Sequence, residues 1–578
     1  MMEFEQAAIL ILLVGMLVAF ALDRIRMEVV ALGGLGLGLA LGLVTTGQAF
    51  MGFSNSAFIT VVEILLIVQV LGRSGALDAL SRRISQIART ETQVLAILCV
   101  LTATLSVFMN NIGALALMLP VVTSVCRVAA LDRRRILMPV SFAALLGGLC
   151  SVIGTPANLI VSNQLAAATG MGFSFFDFAW VGVPAALAGI LILVAWPRRA
   201  LGTGPADVGR HPPQSFRTVV TEVRIGARSP LIGEPVSDAE PTIHAMHRGG
   251  ANVLFQRPGT TVEAGDVLLI EMGLQDLEAG LASGDMVLPM TGGNPGAAQR
   301  VEAVIMPEST LVGSRIGALE GLRSRGIDIV AVATSSPRIE GSLADLQLSI
   351  GDVLYLSGHP EAIREAVEEA DILPLWPQPQ HEAGDNQWTP ILAFVGGVAF
   401  AIFGLAPPEL AFGMVVLFLA ATGSLDLRQG LAALDWRILI MLAAMIPLGL
   451  AVETTGSASI LASGLLAVLP GQSGIVLSAT LLLMAVVITP FVNNASTAVI
   501  LGPIALGIAR ASGIAPEPLL LAVALGASID FLTPIGHHNN TIVMGLAGYR
   551  VVDFFKVGWP VTIVVTVAST LAIWALWT

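Results

Sequence analysis

A chain of 578 residues with 55% hydrophobic and 12% charged residues falls well short of the roughly 25% charge of a soluble domain. Most of it therefore does not face water, and the chain reads as a polytopic membrane protein in a lipid bilayer. A formal net charge of −12 argues against a nucleic-acid partner, which would need a basic surface.

The N-terminal MMEFEQ is acidic, and the apolar run AILILLVGMLVAFAL that follows shows no small-residue cleavage site. It is expected to stay as a helix rather than leave as a signal peptide. VVALGGLGLGLALGLV and PAALAGILILVAW follow, and VTIVVTVASTLAIWALW closes the chain. Such runs approach the roughly 20 apolar residues that cross a bilayer. Cys99, Cys126 and Cys150 are scattered in apolar stretches without metal-ligand spacing, so they carry no disulfide or metal signal.

Two stretches break the apolar pattern in the same way. FMNNIGALALMLP contains Asn110-Asn111, and FVNNASTAVILGP contains Asn493-Asn494. An unsatisfied amide in an apolar environment costs about 2–7 kcal/mol, so these side chains need partners. Roughly forty residues after each pair comes a second interruption, GTPAN at 154–158 and TPIGHHNN at 533–540. Each half thus reads as three spanning helices, a re-entrant hairpin, a broken helix and a final helix, over 1–200 and 386–578.

Between the halves, from Trp196-Pro197-Arg198-Arg199 to Trp388-Thr389-Pro390, strand-like runs replace apolar ones, and the segment repeats itself. Residues 215–290 and 298–375 each run strand, Gly-containing turn, helix, strand, Gly-Asp-Val-Leu strand and short helix, with that signature at 265–268 and 351–354. Both copies resemble the TrkA-C (RCK-C) domain, a small α/β module appended to channels and transporters. The resemblance implies dimerisation or a small regulatory ligand.

Five crossings and one hairpin per half is an odd count, so the halves are expected to be inverted repeats. Placing Met1 outside puts Arg133/Arg134/Arg135, Arg198/Arg199 and Arg550/Lys556 inside, as the excess of basic residues in cytoplasmic loops requires. Only Arg510 falls on the wrong side. The 200–385 insert is then cytoplasmic, below the inner membrane.

Irregular backbone at membrane depth is tolerated only where it lines a cavity or is buried in protein. Transporters with inverted repeats place such breaks at a midplane site. Asn110, Asn111, Asn493 and Asn494 offer amide oxygens to a hard cation such as sodium, and Gly154, Asn158, Thr533 and Asn540 are positioned to complete two cation sites. The bland reading is that the asparagine pairs only cap tight turns. Thr155 offers a hydroxyl, while Pro156 and Pro534 remove backbone donors and account for local unwinding. His537 and His538, the only histidines in the membrane part, are candidates for anion or proton binding, with polar packing as the alternative. Asp530 is an intramembrane carboxylate suited to a cation or a proton. Glu63 and Glu453 are expected near membrane boundaries in structural roles.

These residues resemble the divalent anion/sodium symporter family of the ion transporter superfamily, over both membrane halves. In that family each hairpin tip reads Ser-Asn-Thr, with a proline ten positions after the serine. Pro120 and Pro503 match, so Asn110-Asn111-Ile112 and Asn493-Asn494-Ala495 fall on the two tips. The resemblance implies that the tips, with Thr155, Pro156, Pro534, His537 and His538, bind substrate as well as sodium. It also implies an elevator-type mechanism and a homodimer, with no further cofactor. Ile112 and Ala495 replace the threonines whose hydroxyls serve the anion, which weakens di- and tricarboxylate recognition. The Asn-Asn tip and the insert are more similar to the sulfate branch. A proton-linked antiporter or exporter, a dicarboxylate carrier and a TrkA-C-gated channel are the alternatives. No TVGYG-like filter is present for a channel, and no nucleophile–base constellation for an enzyme.

Overall fold

A computed structural model describes all residues except 1–3, 23–26, 55, 74–83, 85–86, 89, 130, 202–217, 237–240, 250, 254–259, 289–298, 308, 335–340, 376–387, 404, 433, 435, 458–472, 492–493, 535 and 578. Asn493 and most of the Arg-rich segment after Arg73 lie outside the described residues.

The first half contains α1 (Phe4–Leu22), α2 (Met27–Ala40) and α3 (Ser56–Arg73). A helical hairpin follows, α4 (Glu91–Phe108) and α5 (Asn111–Val128), then α6 (Arg133–Gly148), α7 (Pro156–Thr169) and α8 (Ala179–Ala195). The insert contains two labelled helices, α9 (Leu274–Ser283) and α10 (Pro360–Glu369). The second half opens with α11 (Thr389–Ile402), α12 (Pro408–Ala421) and α13 (Trp436–Thr454). Its hairpin is α14 (Gly474–Ile488) and α15 (Asn494–Ser512), followed by α16 (Pro516–Ser528), α17 (His538–Ala547) and α18 (Val551–Trp577). The order of elements is the same in both halves. Five of these helices are long and apolar enough to cross a membrane: α4, α5, α14 with its 3-10 extension, α15 and α18. Leu187, Leu191, Leu417, Ile563 and Val567 stand exposed on several helices, as a lipid-facing surface requires.

Without a hydrophobic force between helices in lipid, close backbone approach at small residues holds them together. Gly147 of α6 packs on the Ala103 backbone of α4, and Gly526 of α16 packs on Leu482 of α14. Gly182 of α8 meets the Leu149 carbonyl in the first break, and Gly558 of α18 meets the Phe531 carbonyl in the second. Any side chain at these four glycines would overlap its neighbour. The halves are also interlocked: α7 packs on α15 and α16, while α17 packs on α5 and α6. Basic residues from distant segments gather at one end. Arg134 pairs with Asp553 at 3.0 Å, Arg135 pairs with Glu91 at 3.6 Å, and the Trp196 indole donates to the Lys556 carbonyl at 3.0 Å.

Glu63 is not at a helix end. It lies mid-way along α3 against Gly413 of α12, because the small residue leaves room for its carboxyl. The Glu453 side chain lies outside the described residues.

In the insert, β1 (Thr218–Ile225), β2 (Thr242–Arg248), β3 (Ala251–Asn252), β4 (Val267–Gly273) and β5 (Met286–Val287) form one module. The second has β6 (Gln299–Ile305), β7 (Asp328–Ala333), β8 (Val353–Gly358) and β9 (Ile372–Pro374). All nine strands join one antiparallel sheet, ordered β3-β2-β4-β1-β7-β8-β6-β9 with β5 beside β1. The modules meet where Val220 of β1 faces Val332 of β7. The helix expected after the first strand is Glu320–Ser324 in the second module. Part of its counterpart's span in the first module, 237–240, lies outside the described residues.

The Gly-Asp-Val signature is a turn device. Asp266 Oδ2 accepts from Glu263 N–H at 2.8 Å, and Asp352 Oδ2 accepts from Ser349 N–H at 2.8 Å. In the first module Arg248 also grips Asp266 with Nε and a terminal nitrogen, each at 2.8 Å, although Asp266 is only 1% exposed. That bond raises the Arg248 pKa above its ordinary value. Asp266→Ala removes the turn cap and the two hydrogen bonds that Asp266 accepts from Arg248, leaving the guanidinium on Glu263 and the Thr261 carbonyl. It should cost the insert about 2–3 kcal/mol, read as earlier protease cleavage within 218–287, whereas Arg228→Ala, at an exposed position, should leave cleavage unchanged.

Candidate functional site

Both broken helices are rebuilt by the same device. In the first, α6 ends at Gly148 and α7 starts at Pro156, with Thr155 as N-cap. Thr155 Oγ1 accepts from Asn158 N–H, and the Asn158 amide turns back to donate to Gly148 O at 2.9 Å and Ser151 O at 2.7 Å. In the second, α16 ends at Ser528 and α17 starts at His538, with His537 as N-cap. The Asn540 amide donates to Asp530 O at 3.0 Å and Thr533 O at 3.2 Å. In each case the asparagine three residues past the N-cap satisfies carbonyls that the interruption frees. The prolines act differently from each other. Pro156 sits at the first helical position, where its missing N–H costs nothing, whereas Pro534 lies inside the second break.

The tip of the first hairpin divides its two asparagines. Asn110 Oδ1 caps α5 by accepting from Gly113 N–H at 2.7 Å, so the capping reading holds for this residue. Asn111 faces the breaks. Its Oδ1 accepts from Ser106 Oγ at 2.8 Å, its Nδ2 lies 3.4 Å from His537 Nε2, and its carbonyl accepts from Asn539 Nδ2 at 2.9 Å. Gly148 in turn abuts the Asn111 amide oxygen and the Thr155 methyl. Thr155 Oγ1 lies 3.2 Å from Ser528 Oγ at the end of α16, where Thr489 Oγ1 donates to Ala527 O at 2.9 Å. Ser151 Oγ donates to Val107 O, tying the first break to its hairpin. Tip one, both breaks and the base of tip two are thereby one connected polar network inside the protein.

In the tips and breaks several buried acceptor oxygens have no donor among the described residues: Asn158 Oδ1, Asn494 Oδ1, Asn539 Oδ1 and both carboxylate oxygens of Asp530. Asp530 is 1% exposed and lies against Gly536, where any side chain would displace the carboxyl. A buried acceptor left unpaired costs about 1–3 kcal/mol, more when charged. Oxygens without protons are what a hard cation demands. Unpaired oxygens of this kind, on Asn158, Asn494, Asn539 and Asp530, have the chemistry that sodium takes. Among the described residues no group of three or more His, Cys, Asp or Glu side chains is placed to hold a metal ion.

The remaining expected residues fall nearby with different surroundings. Gly154 is buried, and its N–H donates to Ser151 Oγ at 3.1 Å. Thr533 Oγ1 accepts from Gly536 N–H at 3.4 Å, and His538 is half-buried. Ile112 and Ala495 pack into the apolar cluster and present no hydroxyl. Asn539 was not singled out in the sequence, although it stands beside Asn540 in the quoted HHNN. Ser106, Ser141, Ser528 and Gly536 had no local signal: Ser141 Oγ donates to Asn540 Oδ1 at 3.0 Å across 399 positions. Gln164 of α7 is likewise buried against Gly502 of α15, where a side chain would displace the Gln164 amide.

The citrate transporter family (CitMHS) matches residues 17–489 and 466–578. The chain is 29% identical to the uncharacterized transporter YfbS of Escherichia coli (strain K12), over 99% of each chain. It is 27% identical to the uncharacterized transporter sll0640 of Synechocystis sp., over 99% of this chain and 97% of the relative. Sodium/sulfate cotransporter 1 of Chlamydomonas reinhardtii is 25% identical over 55% of this chain and 39% of its own.

Asn158→Asp and Asn540→Asp keep the side-chain shape but turn two donors into acceptors facing two carbonyls. Each should lower stability by about 3 kcal/mol, read as a fall in melting temperature in detergent. Asn110→Ser retains a capping oxygen and should change stability by no more than about 0.5 kcal/mol.

Proposed function

The chain belongs to the citrate transporter family of secondary transporters, and from that premise we propose that it carries a small oxyanion such as sulfate by sodium-coupled symport. The observation that carries this reading is the set of buried donorless oxygens on Asn158, Asn494, Asn539 and Asp530, with Asn158 and Asn539 in the first turns of α7 and α17. The oxygens suit a cation, and the starts of α7 and α17 favour an anion. Both ligands then share one site, so each raises the affinity for the other.

Sulfate rather than citrate or a dicarboxylate is supported by the tips. Ile112 and Ala495 bring packed apolar surface where a larger carboxylate needs hydroxyl donors. The likeness to a sodium/sulfate cotransporter over about half the chain points the same way. The interlocking of the halves supports inverted repeats, with the hairpins re-entrant and α4–α8 and α14–α18 moving as the carrier against the remaining helices. The gathering of Arg134, Arg135 and Lys556 at one end supports a cytoplasmic insert. The insert is read as a pair of TrkA-C-like regulatory modules, and the functional unit as a homodimer in the inner membrane.

A second reading rests on Asp530. A buried carboxylate without partners is also satisfied by a proton, which would make the chain a proton-linked carrier. Radiolabelled sulfate uptake into proteoliposomes separates the two. Under the symport reading an inward sodium gradient drives uptake, and Asn111→Ala with Asn494→Ala abolishes it. Asp530→Asn should raise the half-saturating sodium concentration about ten-fold, equivalent to about 1.4 kcal/mol. Uptake that ignores sodium, follows a pH gradient and loses that dependence in Asp530→Asn would replace sodium with the proton.

A further inference from the structure

The two Gly-Asp-Val turns are built alike. Gly265 N–H donates to Ile225 O and Gly351 N–H donates to Ile305 O, each at 2.9 Å. Their φ angles are +90° and +86°, left-handed values that favour glycine. Their surroundings are not alike. A Cβ on Gly265 would meet nothing within 4 Å, whereas a Cβ on Gly351 would stand 2.7 Å from the Thr541 carbonyl oxygen and 3.4 Å from Ile542 Cα. Both residues belong to α17. From the other side, any side chain on Gly545 of α17 would overlap the Gly351 carbonyl. Paired glycines thus let the turn of the second module seat directly on a membrane helix. Ile350 and Met544, from either side of the contact, both pack against the apolar cluster that runs from the membrane half into the insert.

Helix α17 has ten residues and is about 15 Å long, short enough to move as one rod. Its leading end carries His537, Asn539 and Asn540, the groups that meet Asn111 and close the second break. The seat at 541–545 begins within one turn of them. Whatever holds the seat also holds the amide of Asn540 across the break.

We propose that the second insert module braces α17 through the Gly351 turn, and that lifting the turn away weakens binding at the candidate site. Module and site are then coupled in both directions, because the affinity change each imposes on the other is reciprocal. The insert's regulatory output is the placement of one helix, and no contact with the transported ions is needed.

Three full-length variants test this in detergent and in proteoliposomes. Gly265→Ala and Gly351→Ala strain the same turn equally, but only the second strikes α17. Gly545→Ala breaks the same seat from the membrane side without touching the turn. Hydrogen–deuterium exchange across 538–547 should rise in Gly351→Ala and Gly545→Ala and stay at the wild-type level in Gly265→Ala. The half-saturating concentration for sulfate uptake should rise about five-fold or more in the first two alone. Equal exchange in Gly351→Ala and Gly265→Ala overturns the brace, and increased exchange with unchanged half-saturation overturns its coupling to the site. The uptake arm rests on the function proposed above. The exchange arm does not, so it still decides on the brace if sulfate is not carried.

Discussion

Backbone polar groups cannot go unpaired in a medium without water, where each costs several kcal/mol. This chain interrupts two helices in such surroundings, and the amides of Asn158 and Asn540 resolve both interruptions by spanning the gap to freed carbonyls. The rest of the site follows from that bracing. Because the amide nitrogens are spent on carbonyls, the Asn158 oxygen is left facing inward, and Asn540 spends its own on Ser141. A structural repair thereby leaves acceptor oxygens in the protein interior, and acceptor oxygens are the raw material of a cation site.

The two halves supply different chemistry to one locus. The first break is capped by a hydroxyl, Thr155, and the second by an imidazole, His537, whose Nδ1 accepts from Asn539 N–H at 3.2 Å. The carboxylate occurs only in the second, as Asp530. Architectural symmetry therefore coexists with electrostatic asymmetry: one break offers only neutral dipoles and the other a carboxyl group.

Much of this was legible in the sequence because it is local. Asn158 and Asn540 follow their breaks at a fixed offset, and the repeated Gly-Asp-Val-Leu marks equivalent places in the two modules, although it reads as strand where the structure puts an aspartate-capped turn before the strand. What could not be read depends on helix phase or on partners far away in the chain. Asn110 and Asn111 are indistinguishable as letters, yet one residue of rotation makes the first a cap and the second a bridge to His537. The room for Asp530 depends on Gly536, and that of Gln164 on Gly502, contacts that no periodicity encodes. Glu63 looked like a boundary residue because its companion surface, Gly413, lies 350 positions away in the sequence.

The exchange of packing partners between halves has a further consequence for how the protein is made. Helix α7 carries Ser162, Asn163 and Gln164, all buried in the finished protein, and rests on α15 and α16. Those helices leave the ribosome more than three hundred residues later. Until then the Gln164 amide, whose partners Ala498 and Gly502 lie on α15, has no protein to cover it, and the first half waits in the bilayer as an incomplete body. Synthesis at about 5–20 residues per second makes that wait tens of seconds. Over that interval a chain cut short inside the insert presents the same uncovered Gln164 amide as one still being completed, which gives membrane quality control a physical feature by which to recognise the unfinished half.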